Sequence, residues 1–62
     1  MEQIIKYFGS KAELARVLGV DAAAVSYWLR EGLPPGRAIQ IEEITGGEFL
    51  AKDIVGVRGD AA

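Results

Sequence analysis

Five side chains on one short stretch, Ala22, Ala23, Ser26, Tyr27 and Arg30, have types and spacing that could do chemistry. On a helix turning about 100° per residue they share an arc of roughly 140°. Alanine allows close approach of a helix to its target, Ser26 and Tyr27 offer hydroxyls, and Arg30 carries a planar fork. That fork can pair two-pronged with guanine or grip a phosphate. The chemistry this set suits is the non-covalent reading of base edges in a DNA groove. A plain amphipathic helix would show the same alanines, so the neighbouring residues must decide.

Covalent and acid–base chemistry find little to work with. The 62 residues contain no histidine and no cysteine, which removes the commonest general base, the thiol nucleophile and the usual soft metal ligands. Glu42 and Glu43 are neighbours on a helix and point apart, so they read as a solvated face and not as a catalytic pair. Gly46 and Gly47 have neither a strand before them nor a suitably spaced lysine after them, as a phosphate loop requires. The sequence therefore predicts no enzyme, no cofactor, no metal and no small-molecule ligand.

The elements that would position the five residues follow from the local pattern. Residues 2–8 place Ile4, Ile5 and Phe8 on one stripe of a short helix, which Gly9 ends. Ser10 followed by Glu13 is a capping box opening a second helix, Lys11 to Leu18, with Leu14, Ala15 and Leu18 inward. Gly19 suits an abrupt left-handed stop, Val20 a buried turn, and Asp21 the N-cap of a third helix from Ala22 to about Glu31. On that helix Val25, Trp28, Leu29 and Ala24 form the packing side, which makes Trp28 a core residue before it is a binding hot spot. The positions of Ala15, Gly19, Val20, Val25 and Trp28 match two helices crossing at a tight angle, a helix-turn-helix over residues 11–30.

Beyond this unit, Gly32 to Gly36 form a breaker loop, with Pro35 suited to the first position of a fourth helix. That helix should run from about Gly36 to Thr45, with Ala38, Ile41 and Thr45 on one stripe, Ile44 beside it and Ile39 outside. Phe49, Leu50 and Ile54 then suggest a short fifth helix over residues 48–54; a strand at Ile54–Val57 is the alternative. Residues 57–62 read as a frayed tail.

A chain of roughly 60 residues buries only about 60% of its unfolded surface, which bounds it to one domain, 1–62, of modest stability. Half of the residues are hydrophobic, arguing for a globular fold. The formal net charge of −2 opposes phosphate binding. Its distribution softens the objection. Residues 1–37 carry five cations against four acids, whereas residues 38–62 carry two against five. Lys6 and Arg16 read as solvated charges. No apolar run approaches the roughly 18–20 residues of a membrane span, and MEQIIKYF is too short and charged for a signal peptide, so the cytoplasm is expected.

The combination of Tyr7 to Ser10, Leu14 and Ala15, Leu18 to Val20, Ala24 to Ser26, Trp28, Leu33 and Pro34, Ile41 and Glu42, and Thr45 to Gly47 resembles the Cro-type repressors of lambdoid phages and prophages. Related small prophage antitoxin-like regulators share it. The resemblance covers about residues 4 to 54. It implies an all-α, five-helix, lambda-repressor-like domain that represses transcription from operator DNA, in a bacterial host cell with the nucleoid. It places Ala22, Ala23, Ser26 and Tyr27 against bases, and Ser10 and Lys11 at phosphate. Arg37 takes a further phosphate position. Two departures stand out: the chain lacks a basic C-terminal tail, and Tyr27 stands where many relatives have a glutamine.

One short helix reads too few base pairs for selectivity, so a symmetric homodimer, weak in solution or formed only on DNA, is expected on half-sites about 34 Å apart, as helix-turn-helix proteins including lambda Cro dock. The leftover apolar residues Phe49, Leu50, Ile54 and Val55 are its expected contact. The rival reading is a protein-interaction module or antitoxin-like regulator acting through the acidic second half.

Overall fold

Each helix begins and ends where the local chemistry provides for it. The structure is a computed structural model that describes residues 1–59, and among these it holds five helices and no strand. They are α1 (Glu2–Phe8), α2 (Lys11–Leu18), α3 (Ala22–Glu31), α4 (Pro35–Ile44) and α5 (Ala51–Ile54). The Ser10 hydroxyl accepts the Glu13 amide at 3.1 Å and so satisfies one of the free donors opening α2. The reciprocal half of the capping box is missing, because the Glu13 carboxylate pairs with Arg16 instead. Asp21 occupies the N-cap of α3 as expected, yet its side chain makes no capping hydrogen bond.

Gly19 ends α2 at φ 75° and ψ 31°, and the Val20 amide reaches back to the Ala15 carbonyl at 2.9 Å. That left-handed closure lets α3 fold back directly over α2. Leu14, Ala15 and Leu18 from α2 enter one core with Val25 and Trp28 from α3, Ala38 and Ile41 from α4, Ile4 from α1, and Leu33. Ala15, 3% exposed, keeps the helices close because a larger side chain there would hold them apart. Val20 is half-buried against this core, not fully buried. Ile44 falls on the exposed side of α4, as does Ile39.

The chain after α4 differs most from expectation. The predicted helix over residues 48–54 shrinks to Ala51–Ile54. The reason is a tight turn through Gly46 and Gly47, pinned by the Thr45 hydroxyl, which donates to the Ile41 carbonyl at 2.8 Å and accepts the Phe49 amide at 3.3 Å. Glu42 then accepts the Ala51 amide at 2.7 Å and caps α5 from α4. Glu42 therefore belongs to the framework and not to a solvated face; its neighbour Glu43 is exposed.

The expected frayed tail is also corrected for residues 57–59. Leu33 exchanges two backbone hydrogen bonds with this return, accepting the Gly56 amide at 2.7 Å and donating to Val57 at 3.0 Å. The Gly59 amide binds the Leu29 carbonyl at 3.1 Å, and the Met1 amine donates to the Arg58 carbonyl at 3.3 Å. The strand alternative survives only as this paired return. The remainder of the expected tail, residues 60–62, lies outside the described residues.

Candidate nucleic-acid interface

The third helix shows its two sides as expected. Val25 and Trp28, at 0% and 5% exposure, lock it into the core. On the outer side Ala22, Ala23, Tyr27 and Arg30 are exposed and Ser26 is half-buried. Tyr27 presents more than half of its surface, and the Arg30 guanidinium carbon lies 5.8 Å from its ring centroid. That cation–π contact holds the fork over the aromatic face. Among the described residues Arg30 makes no ion pair.

Leu29 packs against the core as expected, but from the edge of the grouping. It is half-buried, at the seam between the two sides of α3, and the return at Gly59 covers it. The helix geometry contains the reason: Leu29 lies only about 20° from Ala22 around the axis, far from the centre of the packing side.

The three expected phosphate residues stand in different states. Ser10 and Lys11 are exposed at the N-terminus of α2, where open amides and the helix dipole favour an anion. The Ser10 hydroxyl keeps its proton free to donate while accepting from Glu13. Arg37, in the first turn of α4, is half-buried and donates to the Gln40 side-chain oxygen at 2.7 Å. Gln40 in turn donates to the Leu18 carbonyl at 3.5 Å, tying the arginine to the end of α2. Sequence reading missed Gln40, although its spacing of three from Arg37 on one helix is the available signal.

Of the four expected dimer residues, Ile54 is 7% exposed and committed to the core. Phe49 is half-buried and packs edge-on against Tyr7, with ring centroids 5.4 Å apart. Leu50 and Val55 remain exposed, at 39% and 45%. No helix among the described residues is long and apolar enough to cross a membrane.

Comparison with known proteins matches residues 1–58 to a family described as the DNA-binding transcriptional regulator Cro. Among curated proteins, the chain is 43% identical over 43 residues to the repressor protein of division inhibition gene dicB of Escherichia coli (strain K12). That match covers 69% of this chain and 57% of the relative, so the chain spans little more than half of that protein's length. It is 34% identical over 55 residues to the regulatory protein cro of Pseudomonas phage D3, covering 86% of this chain and 75% of the relative. With the regulatory protein cro of Salmonella phage P22 it shares 37% identity over 46 residues, 74% of each chain. No solved structure gives a significant match. These matches do not favour the reading as a protein-interaction or antitoxin-like module.

Proposed function

The chain belongs to the Cro family of DNA-binding transcriptional regulators, and from that premise we infer that it represses transcription by occupying operator DNA with α3 in the major groove. Ala22 and Ala23 bring the helix N-terminus close to the bases, and Ser26, Tyr27 and Arg30 hydrogen-bond or pack against base edges. Ser10, Lys11 and Arg37 hold phosphates and fix the register. The observation that carries this reading is the outer side of α3, small and polar above two fully packed anchors, Val25 and Trp28. A helix serving only to fill the core has no use for an exposed arginine stacked on an exposed tyrosine.

Two copies on symmetric half-sites about 34 Å apart supply the selectivity one helix lacks. Of the four residues expected to pair, Leu50 and Val55, with the edge of Phe49, remain available, since Ile54 is held within each copy. So small an apolar surface implies a weak dimer that DNA completes by holding both copies. Repression follows from occupancy, within the cell that holds the operator, and requires no bond to be made or broken.

Titration of an operator duplex with Arg30→Ala and Ser26→Ala tests the assignment. Each is expected to lose roughly 1–3 kcal/mol of affinity while the circular dichroism of the protein stays unchanged. Normal binding by both variants would show that another surface reads the DNA.

A further inference from the structure

A helix that reads bases must be held to within a fraction of an ångström, yet α3 has few helical supports. Of the other helices among the described residues, only α2 comes within 8 Å of α3, α-carbon to α-carbon. The last four carbonyls of α3 have no partners inside the helix. Trp28 finds one in the Gly32 amide at 2.7 Å. Leu29 finds one in Gly59, some thirty residues along the chain, at 3.1 Å.

Residues 56–59 thus lie across the final turn of α3 as a strap. Its start is clamped by the paired bonds to Leu33, immediately after that turn. Its end touches the Leu29 side chain so closely that any side chain at position 59 must displace it. A Cβ built there overlaps Leu29 Cδ2 and lies 2.9 Å from Cγ and 3.0 Å from Cβ. Gly59 has no positive φ, so the requirement for glycine at this position is one of space, not of backbone conformation. A shallow concavity is lined jointly by Gly59, Leu29, Lys11, Ile5 and Glu2, so the strap also borders the lysine that opens α2.

We propose that the strap is a brace for DNA reading: Gly59 and Leu29 are positioning residues that set the pose of Ser26 and Arg30 on α3. The inference rests on the base-reading role given to α3 above. Ser26 and Arg30 flank Leu29 on the last two turns, so a shift at Leu29 tilts both against the bases while Val25 and Trp28 keep the helix in the core. Contacts to phosphate tolerate such a tilt because long flexible cations follow it; directional contacts to base edges do not.

The experiment measures, for the full chain, the ratio of affinities for a duplex selected from a random pool and for a random duplex. Wild type, Gly59→Ala, Leu29→Ala and the double variant are compared. Gly59→Ala is expected to lower the ratio about tenfold, the weight of one impaired base contact. Binding to the random duplex should stay within about twofold of wild type, since a folded protein with a tilted helix keeps its phosphate contacts. The Leu29→Ala background removes the overlap with Cδ2 and Cγ and leaves only the 3.0 Å approach to Cβ, so Gly59→Ala should change the ratio there by less than about twofold.

An unchanged ratio in Gly59→Ala overturns the brace, as does an equal loss in both backgrounds. Equal loss on selected and random duplexes also overturns it, because that signals only less folded protein. Should Gly59→Ala fail to fold, Leu29→Ala alone decides, since it empties the seat of the strap but keeps the carbonyl; a several-fold fall supports the brace and an unchanged ratio overturns it. A wild type without preference between the duplexes removes base reading by α3 and the brace together. A wild-type preference that Gly59→Ala retains removes the brace alone.

Discussion

Arg30 and Tyr27 act as a pair, one presenting donors and the other limiting where those donors can go. A free arginine side chain loses roughly 2 kcal/mol of rotamer entropy when fixed. Stacking on Tyr27 removes part of that loss before DNA arrives. Tyr27→Phe keeps the ring and should retain the coupling to Arg30, whereas Tyr27→Leu should lose about 0.5–1 kcal/mol of it. A double-mutant cycle with Arg30→Ala on operator binding measures the difference; equal coupling in both variants would assign Tyr27 its own separate contact. The outward side of this pair was legible from sequence because burial on a helix follows the 100° step. The ring–guanidinium contact was not, since it depends on rotamers that only neighbouring packing fixes. The same holds for Arg37, whose tie to Gln40 makes it a held group and not a loose cation.

At the scale of elements, the helix-turn-helix was legible to the residue. Caps and stops are local: Ser10 and Gly19 set the bounds of α2 by hydrogen bonds spanning five residues or fewer. Ser10→Ala should cost about 1 kcal/mol. In a domain this small that lowers the melting temperature by roughly 4–8 °C, which a thermal scan reads directly. Val25→Asp tests the other side of α3. The whole domain is worth only roughly 3–9 kcal/mol, and an unpaired carboxylate at a site with 0% exposure costs several of these. Loss of helical circular dichroism is expected; a folded Val25→Asp protein would contradict the placement of the face. The fifth element was misjudged because its bounds are set from elsewhere. Glu42 caps it from α4, and Leu33 pairs with the residues after it. Nothing in the local periodicity of residues 48–59 records those distant partners.

For the whole molecule, the decisive quantity is charge. With a net charge of −2, long-range attraction to DNA is weak and affinity must come from fit and from two copies binding together. Two phosphate-holding cations per copy, Lys11 and Arg37, give a slope of log affinity against log salt of roughly −4 for a bound pair. A slope near zero would deny phosphate contact altogether, and filter binding across a salt series measures it. The central claim, that α3 reads operator sequence in symmetric pairs, is tested most directly by selecting bound duplexes from a random DNA pool. The expected result is a two-fold symmetric motif whose half-sites lie about 34 Å apart. A pool that binds without enriching any sequence would contradict it.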